Sequence, residues 1–152
     1  MYTYSIFWIK EEVATHYFHK SGILYRFFKD YQTDPEREDL SKQFKFITYE
    51  FNENVVIDYL KKNETFTMMK QDNHHTLKIY NKETYISLHM SEKQLKFRCK
   101  TLQDAEALLF PMLRQFQPLL FIVGDNIQNF GWIAPLLRYS KTGREQVLYS
   151  FL

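Results

Sequence analysis

The sequence predicts an α+β fold, with a mostly antiparallel sheet and helices packed on it. Three observations predict this class. The chain has 152 residues, 45% of them hydrophobic and 25% charged, which is typical of one globular domain. Apolar residues at helical spacing fill much of the first third, and short alternating runs separated by polar turns fill the middle. Helices and strands segregated in this way are typical of α+β proteins. We therefore expect a single domain over residues 1–152, with 138–152 as a loosely attached tail.

The first strand and the first helix follow each other without a turn residue. Residues 2–9 are rich in aromatic and β-branched side chains and predict a buried strand. From Lys10 the apolar positions have helical spacing, and they form two ridges about 100° apart around the helix. One ridge holds Ala14 and Phe18, and the other holds Val13 and Tyr17. One ridge must cover the sheet. The second is either core, which periodicity alone favours, or an exposed apolar patch for a partner.

Two further helices and a short fourth one are predicted before the strands in the middle of the chain. Ser21 and Gly22 are expected to end the first helix, and apolar spacing from Ile23 to Tyr31 predicts the second. An Asp34 cap followed by Pro35 predicts the start of an exposed helix over residues 36–45. The run from 44 to 49 is ambiguous between helix and strand, and residues 54–62 fit a short amphipathic helix.

The rest of the chain is predicted as a meander followed by one helix and one strand. The expected strands cover residues 65–69, 76–80, 84–90 and 94–99. Thr101 is expected to cap a helix over residues 102–116, with the Asp104 charge favourable near its N-terminus. Residues 118–123 predict a buried strand, and 125–135 predict a loop.

Composition and charge exclude several classes of function. The 4 glycines are few against the roughly 11 of average usage, which argues against Gly-rich phosphate loops. The net charge of +2 gives no general reason to bind nucleic acid or an acidic membrane. Cys99 is the single cysteine, and no apolar run approaches the ~20 residues of a spanning helix. We therefore expect a cytoplasmic protein without a membrane partner.

A metal-dependent enzyme is one alternative that the residues leave open. Glu12, His16 and His19 could share part of one helical face, and His74, His75 and His89 could complete a site. The His-Glu-x-x-His zinc motif is missing, however, so surface histidines are the favoured interpretation. There is no Gly-x-Ser-x-Gly elbow, and Cys99 in a predicted strand is expected to be a buried small hydrophobe. We expect no catalytic residues, cofactor, metal or small-molecule substrate.

A nucleic-acid-binding module is the second alternative. Basic residues are interspersed with aromatics in several segments, and such residues can form a surface on which nucleic-acid bases stack. These residues are Lys42, Lys45, Lys61, Lys62, Lys93, Lys96, Arg98 and Lys100. Acidic residues lie among them, and a solubilising surface is the favoured interpretation.

The first helix and several later segments resemble one known family. The residues that carry the resemblance run in the same order from residue 3 to residue 135. They are Thr3-Tyr4, Ile9-Lys10-Glu11-Glu12, Ala14, His16-Tyr17-Phe18, Asp30-Tyr31, Lys42-Gln43, Ile47-Thr48, Phe130-Gly131-Trp132-Ile133 and Pro135. Together they resemble the SirA family, the sporulation inhibitors of replication of endospore-forming bacteria. The N-terminal block is specific, whereas the middle strands resemble the family only in pattern.

The resemblance implies a small non-enzymatic regulator. Members of this family bind the N-terminal domain of the replication initiator DnaA and block new rounds of replication when a cell commits to sporulation. The family's partner surface has an aromatic at the position of Val13, a tyrosine at Tyr17 and a glutamine at Gln43. Val13 departs from this pattern, because its smaller side chain removes ring contact area. Phe46, three residues beyond Gln43, is expected to lie beside it if the helix continues.

Overall fold

An antiparallel eight-stranded sheet forms the centre of the fold and confirms the α+β class. The computed structural model describes residues 1–62, the backbone of 67–71, and residues 75–135 and 148–149. The strands are β1 Tyr2–Ile9, β2 Thr48–Tyr49, β3 Thr67–Gln71, β4 Thr76–Asn81, β5 Thr84–Met90, β6 Leu95–Cys99, β7 Leu120–Gly124 and β8 Phe130–Trp132. They run in the order β3-β4-β5-β6-β1-β7-β8, and the short β2 pairs with the end of β1.

Strand β1 occupies the middle of the sheet because both of its faces are apolar. It pairs with β6 on one side and β7 on the other, so that Tyr4 lies opposite both Phe97 and Gly124. Alternate side chains point to opposite faces of a strand. Tyr4 and Ile6 accordingly enter one core, and Phe7 and Ile9 enter the other. The predicted strand over residues 2–9 is confirmed at both ends.

Two layers of helices cover the sheet. The first layer contains α1 Glu11–Tyr17, a 3₁₀ turn Phe18–Lys20, α2 Ser21–Thr33 and α3 Glu38–Ile47, and it packs on the face that carries Phe7. The second layer contains α4 Glu53–Lys61, α5 Leu102–Leu108 and α6 Phe110–Phe116, and it packs on the face that carries Tyr4. The first layer buries residues of β1, β7 and β8 only, so none of the described helices encloses the corresponding face of β4 to β6.

Several local predictions need correction. The first helix ends at Tyr17, and Ser21 and Gly22 begin the second helix instead of ending the first. Asp34 does not cap the third helix. It begins a turn whose Arg37 amide donates to the Asp34 carbonyl at 3.2 Å, and the helix starts at Glu38 with Leu40 and Phe44 buried, so it is not fully exposed.

The predicted helix over residues 102–116 is two helices that meet at Leu109. Pro111 lies at the start of α6, and a proline inside a helix removes one hydrogen bond and clashes with the preceding turn. Leu109 accordingly takes φ −125° and ψ −49°. The Thr101 cap is confirmed, since its side chain accepts from the Asp104 amide.

The predicted loop over residues 125–135 contains strand β8. Trp132 exchanges hydrogen bonds with Tyr149, with N···O distances of 2.6 and 2.8 Å. A Cβ on Gly131 would lie 2.9 Å from the Tyr149 carbonyl oxygen, which explains a glycine at this close approach. Apart from Leu148 and Tyr149, the predicted tail lies outside the described residues.

Candidate partner-binding site

The start of α1 and the end of α3 lie side by side at one edge of the first layer. The Lys10 amide donates to the Ile47 carbonyl at 2.9 Å, and Tyr49 pairs with Trp8 across β1 and β2. These backbone bonds fix two helix termini that are distant in the sequence. The side chains at the start of α1 and at the end of α3 therefore line one groove.

The groove between these termini is lined by both apolar and charged side chains. It encloses about 270 Å³. Two of its side chains are unusually exposed for rings, since Phe46 is 73% exposed and Tyr49 is 46% exposed. The Lys10 ammonium lies 5.8 Å from the Phe46 ring centroid and 5.6 Å from the Tyr49 centroid. The remaining lining residues are Glu11, Glu12 and Val13.

This arrangement is suited to binding a protein surface. Two large rings at this exposure leave apolar area in contact with water, and burying such area against a partner is favourable. The Lys10 ammonium between the rings benefits from cation–π attraction, and it could also meet a partner carboxylate at the groove edge.

The two ridges of α1 have different environments. Ala14 and Phe18 are 0% and 2% exposed, so this ridge covers the sheet. Val13 and Tyr17 are half-buried and pack on the margin of the same core. The Tyr17 ring meets the His16 ring edge-on, with centroids 4.6 Å apart. Tyr17 is thus held by neighbours on one side and open on the other, as a rigid anchor residue requires.

Helix α3 presents Gln43 and Phe46 to solvent. Leu40 and Phe44 bury its inner face, and Gln43 is exposed. Residues three apart on a helix are neighbours, and α3 extends to Ile47, so Gln43 and Phe46 share the outer face.

The groove brings two of the four predicted partner-binding residues together, namely Val13 and Phe46. Tyr17 and Gln43 each lie about one helical turn away on their own helices. Sequence reasoning missed Lys10 and Tyr49 as lining residues. The aromatic run from 44 to 49 was a signal for Tyr49, but only the β1–β2 pairing shows where that ring lies.

The described histidines do not form a metal site. Among the residues that the structure describes, no group of three His, Cys, Asp or Glu side chains is placed to hold a metal ion. His75 contacts Glu53 at 2.5 Å, and His89 contacts Thr76 at 3.1 Å. His74 lies outside the described residues. Cys99 is buried, as predicted, and burial together with the nearby Asp104 charge raises the pKa of its thiol to about 11.

The eight basic residues of the nucleic-acid alternative are divided among separate elements. Lys42 and Lys45 lie on α3, and Lys61 and Lys62 lie at the end of α4. Lys96 and Arg98 lie on β6. They therefore do not form the single surface that the nucleic-acid alternative requires.

None of the described helices has the length and hydrophobicity of a membrane-spanning segment.

The fold and the site together define a small α+β domain with exposed rings beside a groove between two helix termini. Comparison with known proteins then identifies the family. The family model "Sporulation inhibitor of replication protein SirA" matches residues 2–137. A curated relative from Bacillus subtilis (strain 168), named sporulation inhibitor of replication protein SirA, is 26% identical over 138 residues, which cover 88% of this chain and 93% of the relative. The chain belongs to the SirA family of sporulation inhibitors of replication, as its sequence features predict.

Proposed function

We propose that this protein inhibits the initiation of chromosome replication during sporulation by binding the N-terminal domain of DnaA in the cytoplasm. The partner surface comprises Val13, Tyr17, Gln43 and Phe46, extended by Lys10 and Tyr49. The observation that carries the proposal is the exposure of Phe46, 73%, beside the half-buried ridge of Val13 and Tyr17. Family membership supports the biological role, and the groove supports a protein partner.

The chemistry of the surface matches a standard protein interface. Phe46 and Tyr17 supply aromatic anchors at its centre, Gln43 can both donate and accept hydrogen bonds, and Lys10 supplies a positive charge near the groove. An interface of this kind buries roughly 800 Å² on each partner. Bound there, the protein would occlude the DnaA domain or prevent its assembly at the origin.

The sharpest test replaces Phe46 with alanine and measures binding to the DnaA N-terminal domain by calorimetry. Because the ring is mostly exposed, its loss should leave the free energy of unfolding nearly unchanged. Loss of an anchor costs about 2 kcal/mol, or roughly 30-fold in Kd. Val55→Ala is the matched control, since Val55 is an exposed apolar residue, 41% exposed, on α4 in the other helical layer.

Two further variants test the ridge on α1. Tyr17→Ala should weaken binding by a similar factor, and Tyr17→Phe should retain most of it. Val13→Phe should tighten binding several-fold, because it restores ring area beside a groove of about 270 Å³. No binding by the wild type would overturn the proposed function. Equal Kd values for folded Phe46→Ala and Tyr17→Ala variants and the wild type would overturn the site.

A further inference from the structure

Strands β4, β5 and β6 have one covered face and one face that no described helix encloses. Their covered side chains, such as Ile79, Leu88 and Phe97, are fully buried. The alternate positions point to the other face, and there every side chain is half-buried or exposed. These open-face residues are Thr76, Lys78, Tyr80, Tyr85, Ser87, His89, Lys96 and Arg98.

The open face is positively charged. Strand register aligns Lys78 with Ser87 and Ser87 with Arg98, which makes a row across three strands. With strands about 4.8 Å apart, the backbones that carry the two cations are roughly 10 Å apart. Lys96 lies on the neighbouring row beside His89. Within the described parts of these three strands, the open face carries no carboxylate, although the protein as a whole is nearly neutral.

One carboxylate lies at the edge of this face. Asp125 contacts the Lys96 ammonium at 3.4 Å, and it also accepts from the Ser5 hydroxyl at 2.8 Å and the Gln32 amide at 3.1 Å. It is tied to the seam between α2 and the sheet, where its side chain is 20% exposed. Asp125 therefore moderates the positive potential at one end of the face. It makes no ion pair with Lys78 or Arg98, and no other described carboxylate does.

Two tyrosine rings lie on the same face as the cations. Tyr80 and Tyr85 are cross-strand partners with ring centroids 6.1 Å apart. The Lys78 ammonium lies 6.0 Å from the Tyr85 centroid. Rings on a flat strand surface can stack on unpaired bases, while neighbouring cations neutralise the phosphates. A duplex conceals its bases from such a surface, since major-groove recognition requires an element that enters the groove.

We infer that the open face of β4, β5 and β6 binds single-stranded nucleic acid. Bases stack on Tyr85 and Tyr80, and Lys78, Arg98 and Lys96 contact the phosphates. The charge complementarity and the ring placement carry this inference, and it does not depend on the groove between α1 and α3. The residues of this face lie closer together than the eight basic residues considered from the sequence. The face includes Lys78 and the two tyrosines, and it does not include the lysines of α3 and α4.

The experiment measures fluorescence anisotropy of a labelled oligothymidylate of about 20 nucleotides with the full chain at low salt, followed by a salt titration. We expect Lys78→Ala/Arg98→Ala to weaken binding at least tenfold and to lower the salt slope by about 1.4, the value for two phosphates of a single strand. Tyr85→Ala should weaken binding about tenfold with little change in salt slope, because it removes stacking and no charge. Asp125→Asn should tighten binding several-fold, provided that its thermal unfolding is like that of the wild type.

Two controls separate this site from general charge and from the proposed DnaA surface. Lys61→Ala/Lys62→Ala removes the same net charge from α4 in the other helical layer and should bind the oligonucleotide like the wild type. Phe46→Ala should also bind it like the wild type. Comparison of an oligodeoxyuridylate with an oligouridylate shows which sugar is preferred, and binding of either supports the inference. Absence of binding, equal affinity for duplex DNA, equal loss in the α4 variant, or a preference for anionic vesicles would overturn it.

Discussion

The two helical layers stabilise the same sheet in different ways. More than half of the described buried residues in the first layer's core are aromatic, whereas aliphatic residues dominate the core of the second layer. In the second layer, α4 and α5 begin with side-chain caps, from Asn52 and Thr101. In the described part of the first layer, α1, α2 and α3 begin without a side-chain cap hydrogen bond.

The comparison indicates where a binding surface can form. Helices without caps depend on the packing of one face, and in the first layer that packing consists of large rings in fixed contact geometry. An aromatic side chain at the edge of such a layer has no neighbouring ring on its outer side, so part of it stays exposed to solvent. Phe46, on α3, lies at that edge and is 73% exposed. Tyr49 follows on β2, where its ring packs on Trp8 beside the other core, with centroids 5.0 Å apart. The second layer contributes one exposed large apolar side chain from its described helices, Val55.

Removing one ring from the first layer should have the largest effect on stability. Phe28 is fully buried, its ring stacks on Phe7 at 4.1 Å between centroids, and it also contacts Phe44 and Phe121. We expect Phe28→Ala to lower the free energy of unfolding by about 4 kcal/mol, measured by urea denaturation. Leu60→Ala in α4, which is equally buried, should cost about 3 kcal/mol. A larger cost for Leu60→Ala would contradict the greater dependence of the first layer on single side chains.

The sequence predicted the elements whose periodicity is local. Strand β1 and the two apolar ridges of α1 were identified because a few consecutive residues carry the whole signal, whereas periodicity alone left open which ridge faces the sheet. The break at Leu109 and the strand at Trp132 were missed. The first reflects a proline that ends one helix and starts another, and the second depends on pairing partners elsewhere in the chain.

The candidate site was predictable only in part for the same reason. Resemblance to a family supplied Val13, Tyr17 and Gln43, and helix spacing supplied Phe46. The groove itself depends on the hydrogen bond between Lys10 and Ile47 and on the β1–β2 register, which are contacts between distant segments. Lys10 and Tyr49 could not be placed beside Phe46 without those contacts.

A buried thiol in the core of the second layer should lower the free energy of unfolding as the pH becomes alkaline. Burial raises the pKa of the Cys99 thiol from 9.0 to about 11, so the folded state favours the neutral thiol. Its contribution is fully present below pH 9 and is lost as the pH rises from 9 toward 11. We expect the wild type to lose on the order of 2 kcal/mol more than Cys99→Ala across that range, measured by urea denaturation at each pH. Equal losses in the free energy of unfolding would show that the thiol is hydrated and that water reaches this part of the core.

The smallest expected effect tests the difference in capping between the layers. The Asn52 side chain accepts from the amides of Asn54 and Val55 at 3.0 and 3.3 Å, so Asn52→Ala should lower the free energy of unfolding by about 1 kcal/mol. Asp34 has the sequence signature of a cap but lies in a turn before α3. Asp34→Ala should therefore cost only a few tenths of a kcal/mol, since no helix amide loses its acceptor.

The pair is informative because both substitutions remove a short polar side chain at an exposed position next to a helix. Their difference isolates the cap hydrogen bonds from the general effect of alanine on the unfolded chain. Equal costs near 1 kcal/mol would mean that Asp34 stabilises the start of α3 in solution. The first layer would then be capped like the second, and ring packing alone would no longer account for its exposed edge.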